Sequence, residues 1–323
     1  MLFSSSSALW LALSALIIDA VIGDPAFVWR RLPHPVVWLG ALVDRLDRTL
    51  NRETWLSSQR RVAGVFALVV LIAVAALVGW LVQVALLRVP WGEVILALIG
   101  SVFIAQRSLY QHVDGVRAAF ASGGLAEARR AVALIVGRDP ESLDESGVSR
   151  ATVESCAENF SDGVVAPAFW FALLGLPGLV VYKAVNTADS MIGHRTERHE
   201  AFGWAAARFD DVLNLVPSRL AGVLVALAAP VVQGRVLAAL TVMWRDSRLH
   251  RSPNAGWPES AMAGALGVAL AGPRRYGGHV VPDPFLNPEG RPATPADIAR
   301  SLRVLVLASV LHAAIYAALA LAV

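Results

Sequence analysis

Long apolar runs alternate with polar stretches along the chain. The clearest run, 62–87, holds Gln83 as its one polar side chain and exceeds the roughly 20 apolar residues that cross the hydrocarbon core of a bilayer. It predicts a transmembrane helix. The runs 94–105, with an extension towards Tyr110, and 304–323 predict two more spans. Run 8–22 predicts a retained first helix, because no Lys or Arg precedes it as in a signal peptide.

Two further apolar runs, 164–182 and 212–232, contain residues that interrupt helices. The first carries Gly-Leu-Pro-Gly at 175–178, and the second carries two prolines and an arginine. Glycine and proline break backbone hydrogen bonds that lipid cannot replace, so such segments are tolerated only against protein or water. We expect these two runs to form broken or re-entrant helices.

The composition agrees with a membrane protein. Hydrophobic residues make up 56% of the chain and charged residues 16%, against about 25% charged in a soluble domain, and the mean hydropathy is +0.57. A net charge of +3 gives no basic patch for nucleic acid, and a single cysteine, Cys156, excludes an intrachain disulfide. We predict an all-α, multi-pass membrane protein that forms one helical membrane domain over 1–323.

The polar stretches between the apolar runs are long, at about 24–61, 106–163, 183–211 and 234–303. Connections of this length indicate either function or unrecognised helices, and we predict active-site loops there. Parts of them, 124–135 and 150–160, have helical character, whereas 272–295 is rich in Gly and Pro and predicts an irregular loop. Seven arginines in 24–61 place that loop in the cytoplasm, so we expect the active site on the cytoplasmic side of the cell membrane.

The segment 150–163 is the first candidate for chemistry. Arg150, Glu154 and Glu158 recur every four residues, so a helix would line them on one face, with Asn159 and Asp162 at its end. Carboxylate and amide oxygens suit Mg²⁺ that also contacts substrate phosphates. The alternative is a solvated amphipathic face with an ion pair between Arg150 and Glu154.

The segment 182–195 contains Lys183, the single lysine of a chain with 28 Lys and Arg together. A lysine where arginine is otherwise used suggests a compact amine that contacts a transferring phosphoryl group. Asn186 and Asp189 lie within two helical turns of it. The alternative is a lysine that extends from the end of the apolar run to the membrane surface.

The segment 202–214 places Asp210 and Asp211 at the start of the second broken run. Paired aspartates at a membrane boundary need solvent, a partner or a metal. Arg208 lies three residues before Asp211 and offers a structural ion pair, which does not exclude the metal.

Smaller signals come from histidine, asparagine and glutamate in loops. His34 lies in a Pro-His-Pro sequence, and the turn at 252–259 is expected to present Asn254 and Glu259. A plain loop histidine is the alternative for His34. Cys156 has no His and Asp arrangement near it in sequence, so we expect a small buried residue. The chain contains none of the common phosphate-loop, dinucleotide-loop, zinc or serine-hydrolase motifs.

Several of these segments together carry a specific resemblance. The chain contains G-D-P at 23–25, P-H-P-V at 33–36, V-E-S-C-A-E-N-F-S-D-G-V-V-A-P at 153–167, Y-K-A-V-N-T-A-D-S-M-I-G-H at 182–194, F-G-W-A-A-A-R-F-D-D-V-L-N at 202–214 and S-P-N-A-G-W-P-E at 252–259. In this order they resemble the CobD/CbiB family, the adenosylcobinamide-phosphate synthases of cobalamin biosynthesis. His194 and His199 depart from the tyrosines expected there, which bears on the amine preference.

The resemblance implies a multi-pass membrane ligase that uses ATP and Mg²⁺. Such an enzyme joins aminopropanol phosphate, or a related amino alcohol, to a propionate carboxyl of the corrinoid adenosylcobyric acid, and its remaining partner is membrane lipid. Association of the chain with further copies of itself is possible. The alternatives are a non-catalytic corrinoid-binding membrane protein and a transporter.

From the residues and the resemblance together we assign the candidate site. The catalytic candidates are Lys183, Glu158, Asp189, Arg195 and Arg208; the cofactor-binding candidates are Asn159, Asn186, His34, Asn254 and Glu259; the metal candidates are Glu158, Asp162, Asp189, Asp210 and Asp211.

Overall fold

The computed structural model describes residues 5–136, 141, 143–276 and 279–323. Most of these residues are helical. The helices are α1 (Ser5–Val21), α2 (Ala26–Trp29), α3 (Pro35–Leu50), α4 (Ser57–Leu86), α5 (Gly92–Val102), α6 (Gln106–Val132), α7 (Glu145–Phe160), α8 (Ala166–Ile192), α9 (Trp204–Leu213), α10 (Leu215–Ala228), α11 (Val236–Asp246), α12 (Gly256–Leu266) and α13 (Pro295–Ala322). A π-helical turn, Ser161–Val165, joins α7 to α8, and short 3-10 turns cover Ala229–Val232 and Ser247–Leu249.

Five helical stretches in the described residues are long and apolar enough to cross a membrane. They are Ser57–Leu86, Gly92–Val132, Glu145–Ile192, Leu215–Val232 and Pro295–Ala322. The all-α, multi-pass membrane architecture is therefore confirmed. The run 94–105 does not continue unbroken towards Tyr110, because α5 ends at Val102 and α6 begins only at Gln106. Much of the polar stretches 106–163 and 183–211 is helical, so these stretches contain helices that the hydropathy pattern did not show.

The predicted break in 164–182 is confirmed at Gly175. Its backbone has φ 70° and ψ −158°, which is not helical, and helix continues on both sides. Only glycine adopts such a conformation without steric cost. Pro177 follows inside the helix and has no N–H to donate. The freed Leu176 N–H donates instead to Gln83 Oε1 of α4 at 2.8 Å.

The second apolar run, 212–232, breaks at its two ends. The helix stops at Leu213 and restarts at Leu215, and Pro230 lies in the 3-10 turn after α10. Pro217 does not interrupt α10, because it lies in the first helical turn, where no N–H is needed.

The chain forms two compact units. The first comprises 1–105, 166–214 and 316–323. Within it α8 packs against α1, α3, α4 and α9, and α1 packs against α5. Gly64 of α4 lies so close to the backbone of Phe202 that a Cβ atom would collide with it. The segment before α9 therefore depends on a small residue in α4.

The second unit comprises 106–165 and 215–315. Within it α10, α11 and α12 pack on one another, and α7 packs against α6 and α12. The loop predicted at 272–295 is not wholly irregular: β2 (Arg274–Tyr276) pairs with β3 (His279–Val281), and β1 (Leu270–Ala271) pairs antiparallel with β4 (Phe285–Leu286). The prediction missed them because strands of two or three residues are too short to show alternation.

Candidate active site

Three aspartates interact electrostatically where α8 packs on α9 in the first unit. Asp189 comes from α8, and Asp210 and Asp211 come from α9. Asp210 is 9% exposed and accepts hydrogen bonds from Asn214 Nδ2 at 2.9 Å and Asn186 Nδ2 at 3.4 Å. We call these five residues the aspartate site. The structure thus brings together four sequence-predicted candidates, Asn186, Asp189, Asp210 and Asp211.

Burial and mutual repulsion govern the charge of this site. Burial, followed by the charge of Asp189, raises the pKa of Asp210 to about 7. Burial also raises the pKa of Asp211, although Arg208 opposes this through an ion pair of 3.2 Å. A nearby cation favours the ionised form of such carboxylates. The distance of 3.2 Å also confirms the expected ion pair between Arg208 and Asp211.

The cationic candidates are placed around the same helices. Lys183 lies in α8, half-buried and two turns before Asp189, and its backbone carbonyl accepts from Thr187 Oγ1 at 2.7 Å. Arg195 is exposed in the segment 193–203 between α8 and α9, and Arg208 is exposed on α9. All three cations therefore belong to the first unit: Lys183 and Arg208 lie on the helices of the aspartate site, and Arg195 lies in the segment that connects them.

An ionic cluster fixes the segment 193–203. Arg198 donates from Nε and Nη2 to Asp47 Oδ2 at 3.0 and 2.8 Å. The carbonyl of Arg198 accepts from Asn51 Nδ2 at 3.0 Å, and Asn51 Oδ1 accepts from Arg60 Nε at 2.8 Å. Burial opposes ionisation of Asp47, but the hydrogen bonds from Asn51 and Arg198 hold its pKa below the ordinary value. The connection from α8 to α9 is thereby anchored to α3 and α4.

The end of α7 holds three candidates of the second unit, Glu158, Asn159 and Asp162. Almost all of α7 from Gly147 onward is buried, but Glu158 and Asn159 are exposed, and Asp162 is half-buried in the π-helical turn that follows. Single π turns are rare in proteins, and those that occur are often found at functional sites. Asn159 Nδ2 donates to the carbonyl of Ser155 at 2.9 Å, which leaves its amide oxygen for another partner.

Glu154 is buried and does not belong to a solvated face of α7. It is 3% exposed, accepts from the backbone N–H of Ala271 at 2.7 Å, and lies 3.8 Å from Arg150 Nε. The ion pair predicted between Arg150 and Glu154 is present. The solvated face considered as an alternative does not include Glu154, whereas Glu158 one turn later is exposed. Glu154 is a structural carboxylate that attaches β1 to α7.

The turn predicted over 252–259 ends at Ala255, because α12 begins at Gly256, and the segment does not present its polar side chains outward. Asn254 is 5% exposed, and its Oδ1 accepts from Arg219 Nη1 at 2.8 Å. Glu259 is 1% exposed, and its Oε1 lies 3.7 Å from His250 Nε2. We therefore correct the expectation of exposed ligands at this turn. Their cofactor-binding role stays a prediction.

Arg219 is a functional candidate that the sequence prediction did not include. Its guanidinium lies over the ring of Trp257 at 4.5 Å and bonds Asn254 and Ser218. A residue just before α12, Asn254, and one in its first turn, Trp257, thus hold one arginine of an apolar helix. The signal in the sequence was a lone arginine inside the run 212–232.

His34 serves as a helix cap. Its Nδ1 accepts from the backbone N–H of Val36 at 3.3 Å, at the start of α3, and its Nε2 lies 3.6 Å from Asp24. The ring edge contacts Trp29. These contacts give His34 a structural role at the start of α3, and a cofactor role stays a prediction.

No group of three or more His, Cys, Asp or Glu side chains in the described part of the chain is close enough to hold a metal ion. Mg²⁺ needs only one or two protein carboxylates when it also binds substrate phosphates. Asp189 and the buried Asp210 supply two carboxylates with hard oxygens, which fits this requirement, whereas Asn186 and Asn214 direct their amide nitrogens to Asp210.

Comparison with known proteins places the chain in a family. The family model described as CobD/Cbib protein matches residues 12–305. The chain is 51% identical over 294 residues to "Cobalamin biosynthesis protein CobD" of Sinorhizobium sp, with 90% of this chain and 91% of that protein covered. It is 50% identical to the proteins of the same description from Rhizobium meliloti, with 89% of each chain covered, and from Rhodobacter capsulatus, with 88% of each covered. No solved structure matches. The similarity extends over nearly the whole chain, so the protein belongs to the CobD/CbiB family of cobalamin biosynthesis enzymes.

Proposed function

We propose that the aspartate site binds Mg–ATP in the reaction of this family. As a CobD/CbiB enzyme the chain is an adenosylcobinamide-phosphate synthase of the cell membrane. Its substrates are a corrinoid and an amino alcohol. The finer proposal is that aminopropanol phosphate is joined to a propionate carboxyl of adenosylcobyric acid, with ATP as the source of free energy.

The chemistry requires activation of the carboxylate. A carboxylate does not react with amines at neutral pH, so an oxygen of the propionate attacks the γ-phosphorus of ATP, and ADP leaves. The amine nitrogen then attacks the acyl carbon, the C–N bond forms, and phosphate leaves with the oxygen. Starting from an ammonium and a carboxylate, the products are the amide, ADP, phosphate and one proton. Charge on the transferring phosphoryl must be balanced by cations.

We assign the candidate residues to separate steps of this reaction. Asp189 and Asp210 would hold Mg²⁺, which supplies positive charge to the phosphate oxygens when bound. Lys183, Arg195 and Arg208 would contact phosphates in the same unit. In the second unit, Glu158, Asn159 and Asp162 are candidates for substrate or metal contacts, and Arg219 is a candidate for an anionic group of a substrate. A cytoplasmic active site and a homo-oligomer stay predictions.

The observation that carries the proposal is the burial of Asp210 beside Asp189. Two carboxylates in a poorly solvated place repel each other, and proteins retain such an arrangement where a cation or proton relieves the repulsion. Asn186, itself a candidate, donates to the same carboxylate.

Purified protein in lipid vesicles, supplied with ATP, Mg²⁺ and adenosylcobyric acid, tests the proposal. We expect one ADP per amide with aminopropanol phosphate, and loss of at least 99% of turnover in Asp210→Ala. Asp44→Asn, which changes an exposed aspartate paired with Arg48 on α3, is the matched control and should retain full activity. Amide formation without ATP consumption, or full activity of Asp210→Ala, would overturn the proposal that the aspartate site binds Mg–ATP.

A further inference from the structure

A groove in the second unit lies apart from the residues assigned to the reaction. It has a volume of about 510 Å³ and is open to the surface. Tyr110, Asp114 and Arg117 of α6 line one wall, and Arg303, Val306 and Val310 of α13 line the other. We call these six residues the α6–α13 groove.

The spacing of the lining residues shows that each helix presents one face. On α6 they follow one another at intervals of four and three residues, and on α13 at three and four, which is the repeat of a helical surface. The groove therefore runs along both helix axes for about two turns, or roughly 10 Å.

The groove changes from charged to apolar along its length. On α13, Arg303 comes directly before the apolar run 304–323, and Val306 and Val310 lie one and two turns inside that run. On α6, Tyr110, Asp114 and Arg117 come after the apolar run 94–105, and Arg117 is the farthest of the three from that run in sequence. α13 is a candidate membrane span, and α6 is the polar part of the candidate span Gly92–Val132. The charged end of the groove thus corresponds to the edge of the hydrocarbon, and the apolar end extends into it.

The charged end carries an excess of positive charge. Arg117 Nε pairs with Asp114 Oδ1 at 2.6 Å, and Arg303 adds a second, exposed guanidinium. Guanidinium groups bind phosphate oxygens in a bidentate manner, and basic pockets between membrane helices bind anionic headgroups. Tyr110, 41% exposed, has the amphipathic ring typical of membrane interfaces.

We propose that the α6–α13 groove binds one anionic phospholipid, with its headgroup phosphate on Arg117 and Arg303 and an acyl chain along Val306 and Val310. A molecule with negative charge at one end and hydrocarbon at the other matches this order of side chains. A soluble phosphate would use only the charged end. Phosphatidylcholine has the same phosphate, but its choline cancels the net charge that the arginines favour.

Native mass spectrometry of the full chain in detergent, titrated with phosphatidylglycerol or phosphatidylcholine of equal chain length, tests this proposal. We expect the first phosphatidylglycerol to bind at least tenfold more tightly than phosphatidylcholine. Arg117→Gln with Arg303→Gln should remove this preference. The matched control is Arg48→Gln with Arg88→Gln, which changes one ion-paired and one exposed arginine of the first unit and should keep it.

Two further measurements distinguish a bound lipid from other molecules in the groove. Val310→Phe narrows the apolar half without touching the arginines and should weaken phosphatidylglycerol binding at least threefold. Glycerol 1-phosphate and adenosylcobyric acid should not displace the lipid. An unchanged preference in the double arginine variant, or displacement by either soluble compound, would overturn the proposal.

Discussion

Asn214 donates a 2.9 Å hydrogen bond from its amide nitrogen to the carboxylate of Asp210, one helical turn earlier in the chain. The amide oxygen of Asn214 accepts at 3.1 Å from the hydroxyl of Tyr182, which is fully buried in α8. Since the tyrosine occupies the oxygen, the amide nitrogen faces the aspartate. The orientation of Asp210 therefore depends on the residue that directly precedes Lys183.

Tyr182→Phe tests this dependence. The change removes one hydroxyl and leaves the Asn214 oxygen buried without its donor, at a cost of about 1–3 kcal/mol. We expect a lower unfolding temperature in detergent and a lower kcat, with a larger fall in kcat than Tyr110→Phe gives on the exposed face of α6. Equal kcat values for the two variants would contradict a positioning role for Tyr182.

Lys183→Ala should lower turnover by a hundredfold or more, on the order of 3 kcal/mol, because a cation at the phosphoryl group is lost. Lys183→Arg should restore little of it if a compact amine is required. Steady-state assays with vesicle-bound protein measure both. Arg88→Ala, at the end of α4, is the control for a cation at a membrane edge, and near-normal activity of Lys183→Ala would assign Lys183 to that role.

Asp189→Asn should raise the Mg²⁺ concentration for half-maximal activity by about tenfold, because one carboxylate of the aspartate site is neutralised. Asp189→Asn combined with Asp210→Asn should cost less than the two single effects added, since the two residues act as a unit. Titration of activity against Mg²⁺ measures these effects, with Asp44→Asn as control. An unchanged Mg²⁺ requirement in every variant would show that the carboxylates have another role.

The titration of Asp210 makes stability depend on pH. Its pKa, raised by burial to about 7, lies above that of an unfolded aspartate at about 4, so the folded state binds more protons between these values. The free energy of unfolding should therefore fall as pH rises from about 4 to about 7. Thermal unfolding at pH 5 and pH 8 should show this loss in the original chain and a smaller one in Asp210→Asn. A loss of equal size in both proteins would refute the assignment to Asp210.

Gly175→Ala should destabilise the chain by about 1–3 kcal/mol, because φ is +70° there and a Cβ would collide with the side chain of Gln83. Gly115→Ala is the matched control. Gly115 lies inside α6, and a Cβ there meets nothing within 4 Å, so alanine should be neutral or stabilising. Thermal unfolding of both variants in one detergent compares them, and equal unfolding temperatures would contradict the strain at Gly175.

Local patterns predicted much of the fold. Hydropathy located the spans, and the Gly-Leu-Pro-Gly sequence located the break in α8, because both depend only on neighbours in the chain. The pairing of Arg208 with Asp211 followed from helical spacing in the same way.

Contacts between distant residues could not be predicted. Glu154 bonds the backbone of Ala271, 117 residues away, and spacing alone suggested a solvated face instead. Arg219 and Asn254 are separated by 35 residues, and neither neighbourhood indicates the other. The meeting of Asp189 with Asp210 likewise required the packing of α9 on α8, which no periodicity reveals.

The bond between Gln83 and Leu176 also bears on biosynthesis. Gln83 is 4% exposed and lies near the end of α4, a helix that is synthesised 93 residues before its partner Leu176. A newly inserted α4 must therefore carry an amide in hydrocarbon, or against the insertion machinery, until α8 emerges from the ribosome. The energetic cost of an unsatisfied polar group in lipid then favours docking of α8 on α4 as soon as α8 is inserted.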